Sequence, residues 1–327
     1  MKLVFVIAIV AIIIYTFRDS AGPILKELST TAPWVVITIC GAGVMYNVVE
    51  GWINYSFAKQ YNPQFTYRMG IESAFYCSFY RVATLGSGAG VAAVYYFNEK
   101  GIPVFQGTGM YMVEYAIHKV TIAIFSIIFF LLNFGFMKEH YSEYFNLLIA
   151  GYVLTAVIAT ALLLFCCSKK FHGILLFLVD KLNRKGKFDA QAAMLREQCG
   201  ILEDAAGMLL TKGKLIASIV AKNLLKFAFC YGIPFVILYR EYGLTLLQSW
   251  AVTSLAFMLA AVIPSPAGIG SSEFVFTALF TVLVGTGEAG SAALLYRFAT
   301  FVLPFVIGGV VAVSYTHLRA HETDQYL

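Results

Sequence analysis

Charge is scarce in this chain. Asp, Glu, Lys and Arg make up only 13% of its 327 residues, roughly half the share in a soluble domain. With a hydrophobic fraction of 60% and a mean hydropathy of +0.77, that scarcity excludes a water-soluble globule. It also excludes disorder, which needs low hydrophobicity and high net charge. Metal-ligand spacing is missing as well. The six cysteines form neither a CxxC nor a Cys/His pattern, so neither a metal site nor a disulfide framework is expected. No cofactor motif is present, and none is expected. There is no Lys/Arg stripe interleaved with aromatics, so the net charge of +5 does not point to nucleic acid. Neither HExxH nor a Ser/His/Asp order supports an intramembrane hydrolase. No soluble domain of any size is present.

What is there is a series of apolar runs. A membrane helix needs about 20 apolar residues, which leaves room for roughly eight to ten spans. The expected fold is an all-α polytopic membrane protein of about eight to nine transmembrane helices. Two of its segments are broken by Gly or Pro, with a re-entrant course open to them. Met1 to Phe17 reads as a first span. Arg18 to Ala32 is amphipathic, with Ile24, Leu25 and Leu28 on one side, and is expected in the interface. Further spans are read at Pro33 to Phe57, Phe65 to Phe97, Gln106 to Met137 and Tyr144 to Cys167. After the polar stretch they resume at Leu215 to Tyr239 and Leu246 to Ile263. Glu273 to Val284 and Ser291 to Ala312 close the series.

The polar stretch Ser168 to Lys214 carries nine of the 23 Lys and Arg residues. The positive-inside rule puts it in the cytoplasm. Its first half has helical apolar spacing and its second half reads as a short two-faced helix. It divides the chain into a first membrane half (1–167), a basic loop (168–214) and a second membrane half (215–312). Residues 313–327, VSYTHLRAHETDQYL, bear no relation to the preceding pattern and read as a non-native read-through tail. Fold reasoning therefore stops at Ala312, and the natural chain is expected to continue.

Two breaks interrupt the apolar runs, at Gly86-Ser87-Gly88-Ala89-Gly90 and at Pro264 to Gly270. Broken backbone is tolerated at membrane depth only where protein or a water-filled cavity covers it, so both breaks predict a cavity. Each is followed by a short helix, a Gly-containing turn and a span carrying a cation, Lys119 in one case and Arg297 in the other. This is the pattern of an internal repeat with a site near the midplane. Ionisable residues inside spans are costly and tend to be functional. The candidates are Glu50, Glu72, Arg81, Glu114, His118, Lys119, Lys222, Lys226, Glu273 and Arg297. Against that stand bland roles. Lys222 and Lys226 can snorkel, Glu50 can sit at the interface beside Trp52, and Glu273 can cap a helix. Arg297 lies too far from either end of its run to snorkel.

The stretch IPSPAGIGSSE, Ile263 to Glu273, resembles the P-x-P-G-G-x-G-x-x-E signature of the lysylphosphatidylglycerol synthetase transmembrane (flippase) family. ALLYRFATFVLP, Ala293 to Pro304, resembles that family's closing L-Y-R-x-x-T-F-x-x-P motif. Tyr80 to Gly101 is similar to its Gly-rich segment, followed by a helix whose Glu is matched by Glu114. Ala267 stands where the second Gly is usual, and Thr84-Leu85 where a Pro is common.

The resemblance implies a bacterial inner-membrane protein that moves or exposes phospholipid, aminoacylated lipid such as lysyl-phosphatidylglycerol included. The alternative it implies is the membrane portion of a phosphatidylglycerol lysyltransferase whose catalytic domain lies outside this chain. The expected substrate-binding residues are Arg81, Glu114, Lys119, Glu273, Tyr296 and Arg297. Gly86, Gly88, Gly90, Pro264, Pro266, Gly268, Gly270 and Pro304 are expected to shape the cavity. Anionic or aminoacylated phospholipid and bulk membrane lipid are the expected partners, and a homo-oligomer is compatible with the pattern.

Overall fold

A computed structural model describes residues 21–183, 188–261, 263 and 270–324 of the protein. Every regular element among them is helical. The expected first span, Met1 to Phe17, lies outside these residues, as do Pro264, Pro266 and Gly268.

The helices are α1 (Ala21–Thr30), α2 (Pro33–Ala58), α3 (Tyr67–Ala83), α4 (Ala89–Glu99), α5 (Val104–Leu132), α6 (Phe134–His140) and α7 (Phe145–Cys167). They continue as α8 (Lys169–Leu182), α9 (Asp189–Leu209), α10 (Gly213–Tyr231), α11 (Ile233–Tyr242), α12 (Leu246–Ala260), α13 (Ser271–Val284), α14 (Thr286–Arg297) and α15 (Leu303–Asp324). Local chemistry sets several boundaries. Pro33 opens α2, where its missing N–H costs nothing. Thr66 caps α3 by accepting from Met69 N–H. Thr245 and Gln248 cap α12 reciprocally. Gly243, at φ 64°, closes α11 in the left-handed region.

Among the described residues three helical stretches are long and apolar enough to cross a membrane: Pro33–Ala58, Val104–Leu132 and Thr286–Ser314. The pair α10 and α11, bent by 40° at Gly232, makes a fourth if counted as one span. Leu148–Ala161 within α7, α12 and α13 are shorter apolar helices. Three to four of the eight to nine expected spans are thus clear among the described residues, and the two breaks cut their runs into shorter arms. In α1 only part of the expected apolar side is used. Ile24 is buried and Leu28 packs on the core, but Leu25 points outward.

The arms form two hairpins. At 1.5 Å per residue, α3 and α4 are about 25 and 16 Å long, and α12 and α13 about 22 and 21 Å. All fall short of the roughly 30 Å of a bilayer's hydrocarbon core. The two hairpins start from opposite ends of the bundle. Asn62 donates to the Lys100 carbonyl (2.7 Å), joining the entrance and exit of the α3–α4 hairpin. Lys212 donates to Gln60 (2.8 Å), which puts the start of α10 at that same end. The far end of α10–α11 leads into α12, and there Leu244 and Gln248 share a pocket with Leu283 and Val284 at the end of α13. Each hairpin exits through a glycine in the positive-φ region, Gly101 at 81° and Gly285 at 83°. The same element order therefore occurs twice in opposite direction: a long span, a hairpin and a second long span.

Small residues let these elements approach closely. A Cβ on Gly70 would lie 2.2 Å from the Gly51 carbonyl, and one on Gly43 would lie 1.9 Å from that of Ala299. Helix association in lipid relies on such contacts, since lipid tails are as apolar as the side chains. Of the polar stretch, α9 packs Leu202, Ala205 and Leu209 into the core beside Met110 and Val113 of α5. The apolar side chains of α8 at Ile174, Phe177 and Leu178 stay exposed.

Candidate functional site

A cavity of about 990 Å³ lies between the two hairpins. Leu85, Gly86 and Ala89 of the first tip line it, together with Ala261, Ile263 and Ser271 flanking the second. All six expected substrate-binding residues, Arg81, Glu114, Lys119, Glu273, Tyr296 and Arg297, are on its wall.

The first tip satisfies its own backbone. Gly86 N–H donates to the Arg81 carbonyl (2.7 Å), and Gly88 N–H to Thr84 Oγ1 (2.7 Å), which itself donates to the Tyr80 carbonyl (2.6 Å). The turn is tight enough to hold Leu85 at φ 50° beside Gly86 at φ 93°. That conformation is costly for a side chain as bulky as Leu. Gly88 is packed beneath Thr84, where a Cβ would come within 2.6 Å of Oγ1. Gly90 faces the Tyr111 ring at 2.8 Å from where its Cβ would be. These two glycines shape the tip from behind, while Gly86 is in the wall itself.

At the second tip Gly270 turns at φ 84° into α13. Its N–H donates to Glu273 Oε2 (2.7 Å), and Ser272 Oγ donates to the same oxygen (3.0 Å). The other oxygen, Oε1, accepts from Arg297 Nη1 at 2.5 Å. Glu273 is thus the cap of α13, the bland role that the sequence offered, and also the counter-ion of Arg297, which the sequence did not show. Arg297 is positioned by a π-helical turn, Phe298–Val302, which Pro304 explains. Proline has no N–H to continue the ladder and its ring displaces the preceding turn. Pro304 is buried behind the wall, and Arg297 Nε is buried with no hydrogen-bond partner.

Between the tips lies a cluster spread over α2, α5 and α10. Lys226 is fully buried and forms an ion pair with Glu50. Its ammonium also meets His118 Nδ1 at 2.9 Å, and since it has only protons to offer, Nδ1 is the acceptor. Glu114, buried one helical turn before His118, lines the same cavity as Glu50. This corrects two bland readings. Lys226 does not snorkel: it is about 20 Å along α10 from Gly213, too deep to reach the near surface. Glu50 is not an interfacial residue beside Trp52. Lys222 does reach sideways, donating to Ser56 (2.6 Å) with its ammonium 4.5 Å from the Trp52 ring centroid.

Two cations in the wall have no counter-ion among the described residues. Lys119 lies over the Tyr115 ring at 5.2 Å. Arg81 sits just before the first tip, and its guanidinium makes neither a hydrogen bond nor an ion pair there. Its side chain is exposed although the bundle surrounds it, because the surface it presents is that of the cavity. Tyr296 is different. Its hydroxyl is 2.8 Å from Cys230 Sγ, and the residue is buried, so it serves the wall more than the interior. Among the candidates left over, Glu72 is bound to Arg68 (2.8 Å) and Tyr96 (3.0 Å) and is not part of the cavity lining.

Sequence reasoning missed the polar seam between α2 and α3. Ser78 donates to Asn47 Oδ1 and Asn54 to Ser73 Oγ, both at 2.9 Å and both buried. The signal was available: Asn47 and Asn54 are seven apart, two helical turns, on one side of an apolar helix. Among the described residues no three His, Cys, Asp or Glu side chains are grouped to hold a metal ion.

No curated protein matches the chain. The sequence model described as the lysylphosphatidylglycerol synthase TM region matches residues 2–308, so it spans both hairpins and the whole cavity lining. With its apolar helices, its paired hairpins and that match, the chain is a membrane protein belonging to the lysylphosphatidylglycerol synthase TM region family.

Proposed function

We propose that the protein translocates phospholipid across a bacterial inner membrane, holding the phosphate of the headgroup in the cavity while the acyl tails stay in lipid. The observation that carries this reading is Arg81, a guanidinium in the cavity wall without a counter-ion among the described residues. A charge surrounded by the bundle and left unpaired favours an anionic ligand. A guanidinium also matches phosphate geometry, donating to its oxygens from two N–H groups at once. Lys119 adds a second unpaired cation in the same wall. Glu50 and Glu273 are already engaged by Lys226 and Arg297, which leaves the site short of anions. The volume supports a headgroup, since ligand pockets run from about 300 to 1,000 Å³. The favoured cargo is a glycerophospholipid, including aminoacylated forms such as lysyl-phosphatidylglycerol, with the basic loop 168–214 on the cytoplasmic side.

The test is translocation of labelled phosphatidylglycerol in reconstituted vesicles. A hydrogen bond to a charged group contributes about 1.5–3 kcal/mol, so Arg81→Gln should slow movement by roughly 10- to 100-fold. Arg297→Ala should abolish movement while leaving expression intact. Wild-type rates in both variants would sink the assignment.

The family's description favours a second reading: that the chain is the membrane portion of a phosphatidylglycerol lysyltransferase. Lipid extracts separate the two. Aminoacylated phosphatidylglycerol that appears only when the full gene is expressed supports the synthase, and unchanged lipid composition with altered leaflet distribution supports translocation.

A further inference from the structure

Away from the cavity, one more cation is buried without a counter-ion. Lys222 of α10 is only 9% exposed, and among the described residues no carboxylate pairs with it. Its ammonium has three N–H groups to offer. One donates to Ser56 Oγ of α2 (2.6 Å), and that hydroxyl gives its own proton to the Trp52 carbonyl (2.7 Å). The Trp52 ring lies against the same ammonium, 4.5 Å away at its centroid. The ring and the hydroxyl leave room for a further acceptor on the ammonium. A snorkelling lysine holds its head in water. This one holds its head against an indole and a hydroxyl, inside a groove between two helices.

None of Trp52, Ser56, Lys222 and Leu225 is part of the cavity lining. Trp52 and Leu225 are nevertheless 42% and 43% exposed, so the groove opens to the outside of the bundle, where lipid lies. Its height is that of headgroups. Ser56 is two residues from the end of α2, about 3 Å along the axis. Just past that end Gln60 accepts from Lys212, where the basic stretch meets α10. Lys59 follows Ser56 by three residues, is exposed, and donates to Tyr55 (2.8 Å) rather than to a carboxylate. Tryptophan is the usual anchor at this level of a bilayer. Two cations, a hydroxyl and an outward indole together suit a ligand with an anionic head and an apolar tail.

We propose that the groove between α2 and α10 is a second binding site, outside the cavity, for an acidic glycerophospholipid of the leaflet at that end. Its phosphate accepts from Lys222 and faces the charge of Lys59, while the upper part of an acyl chain runs along Trp52 and Leu225. A basic pocket between membrane helices holds a lipid phosphate by charge, and the indole sets its depth. A zwitterionic lipid brings its own ammonium, which the two lysines repel, so the site discriminates acidic from zwitterionic lipid. It is independent of the translocation reading, since no residue of the cavity wall takes part.

Trp52 is its own probe. The chain has three tryptophans, so Trp34→Phe with Trp250→Phe leaves Trp52 as the only emitter. The whole chain in that form is reconstituted into phosphatidylcholine vesicles containing brominated phosphatidylglycerol or, at equal mole fraction, brominated phosphatidylcholine, and quenching of Trp52 is measured. The expected result is an about fivefold preference for phosphatidylglycerol, the ratio that corresponds to about 1 kcal/mol for one lysine at an anionic surface. Lys222→Gln should bring the preference close to one and Lys222→Arg, which keeps the charge, should retain most of it. Quenching by brominated phosphatidylcholine at the parent level in Lys222→Gln shows that the variant is folded. Arg81→Gln should leave the preference as it is, because that residue faces the cavity. Equal quenching by the two lipids, or a preference that survives in Lys222→Gln, overturns the proposal. A preference that disappears in Arg81→Gln assigns the effect to the cavity and overturns it too. Loss of the preference on adding inorganic phosphate would make this a site for the free ion and overturn the lipid assignment.

Discussion

At the scale of single residues, the cavity is built from charges whose environments differ sharply. Lys226 is buried and paired, Arg297 is paired but leaves Nε unsatisfied, and Arg81 is unpaired and faces open space. The consequences of removing them differ accordingly. Lys226→Met strands the Glu50 carboxylate inside the bundle, and breaking a buried pair costs about 3–5 kcal/mol. A marked loss of thermal stability in detergent is therefore expected. Much of it should return in the double variant Glu50→Gln with Lys226→Met, which removes both charges. Arg81→Gln should leave the melting temperature nearly unchanged while impairing lipid movement, since no partner is orphaned. A melt of the three purified variants decides between these outcomes. The sequence identified Arg297 from its depth in an apolar run, but it left Lys226 undecided. The difference is physical: Lys226 follows a basic loop closely enough to resemble a snorkelling residue, and only the position of Glu50 on another helix reveals the pair.

At the scale of elements, the hairpins and the α8–α9 pair carry the testable content. Where α2 crosses α3, Gly51 and Gly70 bring the backbones together with no room for a Cβ. Gly70→Leu has to push the helices apart and is expected to destabilise the first hairpin by at least the 1–3 kcal/mol, roughly, of an overpacked core. Limited proteolysis near Gln64 should accelerate in that variant. The α8–α9 contact has a different sensitivity. His172 is bound on one side to the Phe165 carbonyl (2.5 Å) and on the other to Glu203 Oε1 (2.9 Å), with Lys169 3.6 Å from Glu203 Oε2. The His172 hydrogen bond, helped by the Lys169 charge, holds the Glu203 carboxyl below its ordinary range. A depressed carboxyl stabilises the fold above its unfolded-state titration and loses that contribution as pH falls through the folded one. The α8–α9 contact should therefore be intact at neutral pH and weaken below the ordinary carboxylate range. Glu203→Gln should abolish this acid dependence, as read by hydrogen exchange of α9. Most elements were legible in the sequence, because periodicity and Gly or Pro breaks mark helix ends directly. Their grouping was less so: nothing in the run Phe65 to Phe97 says that its two arms return to the same end of the bundle. That depends on the contact between Asn62 and Lys100, 38 residues apart.

At the scale of the whole molecule, two units of equal element order point in opposite directions around one cavity. The sequence showed the repeat as a matching spacing from Gly90 to Lys119 and from Gly270 to Arg297. Its inversion was not visible, because direction through the bundle is a property of the fold. The proposed orientation in the bilayer rests on the basic stretch and can be checked independently. Lys170→Cys, at the start of α8, should react with a membrane-impermeant maleimide only after the cells are opened. Ser142→Cys, before α7 at the opposite end, should react in intact cells. The reverse labelling would invert the assigned topology without disturbing the fold.

The half-length hairpins have an electrical consequence. The α3–α4 and α12–α13 hairpins are shorter than the hydrocarbon core, and the cavity they share holds Arg81, Glu114 and Arg297. Were water to fill that cavity, the insulating layer there would be thinner than the bilayer and the membrane potential would drop mainly across it. Carrying one charge across the whole potential is worth about 2.3 kcal/mol per 100 mV. A charged ligand moving only a few ångströms through such a layer would collect most of that energy.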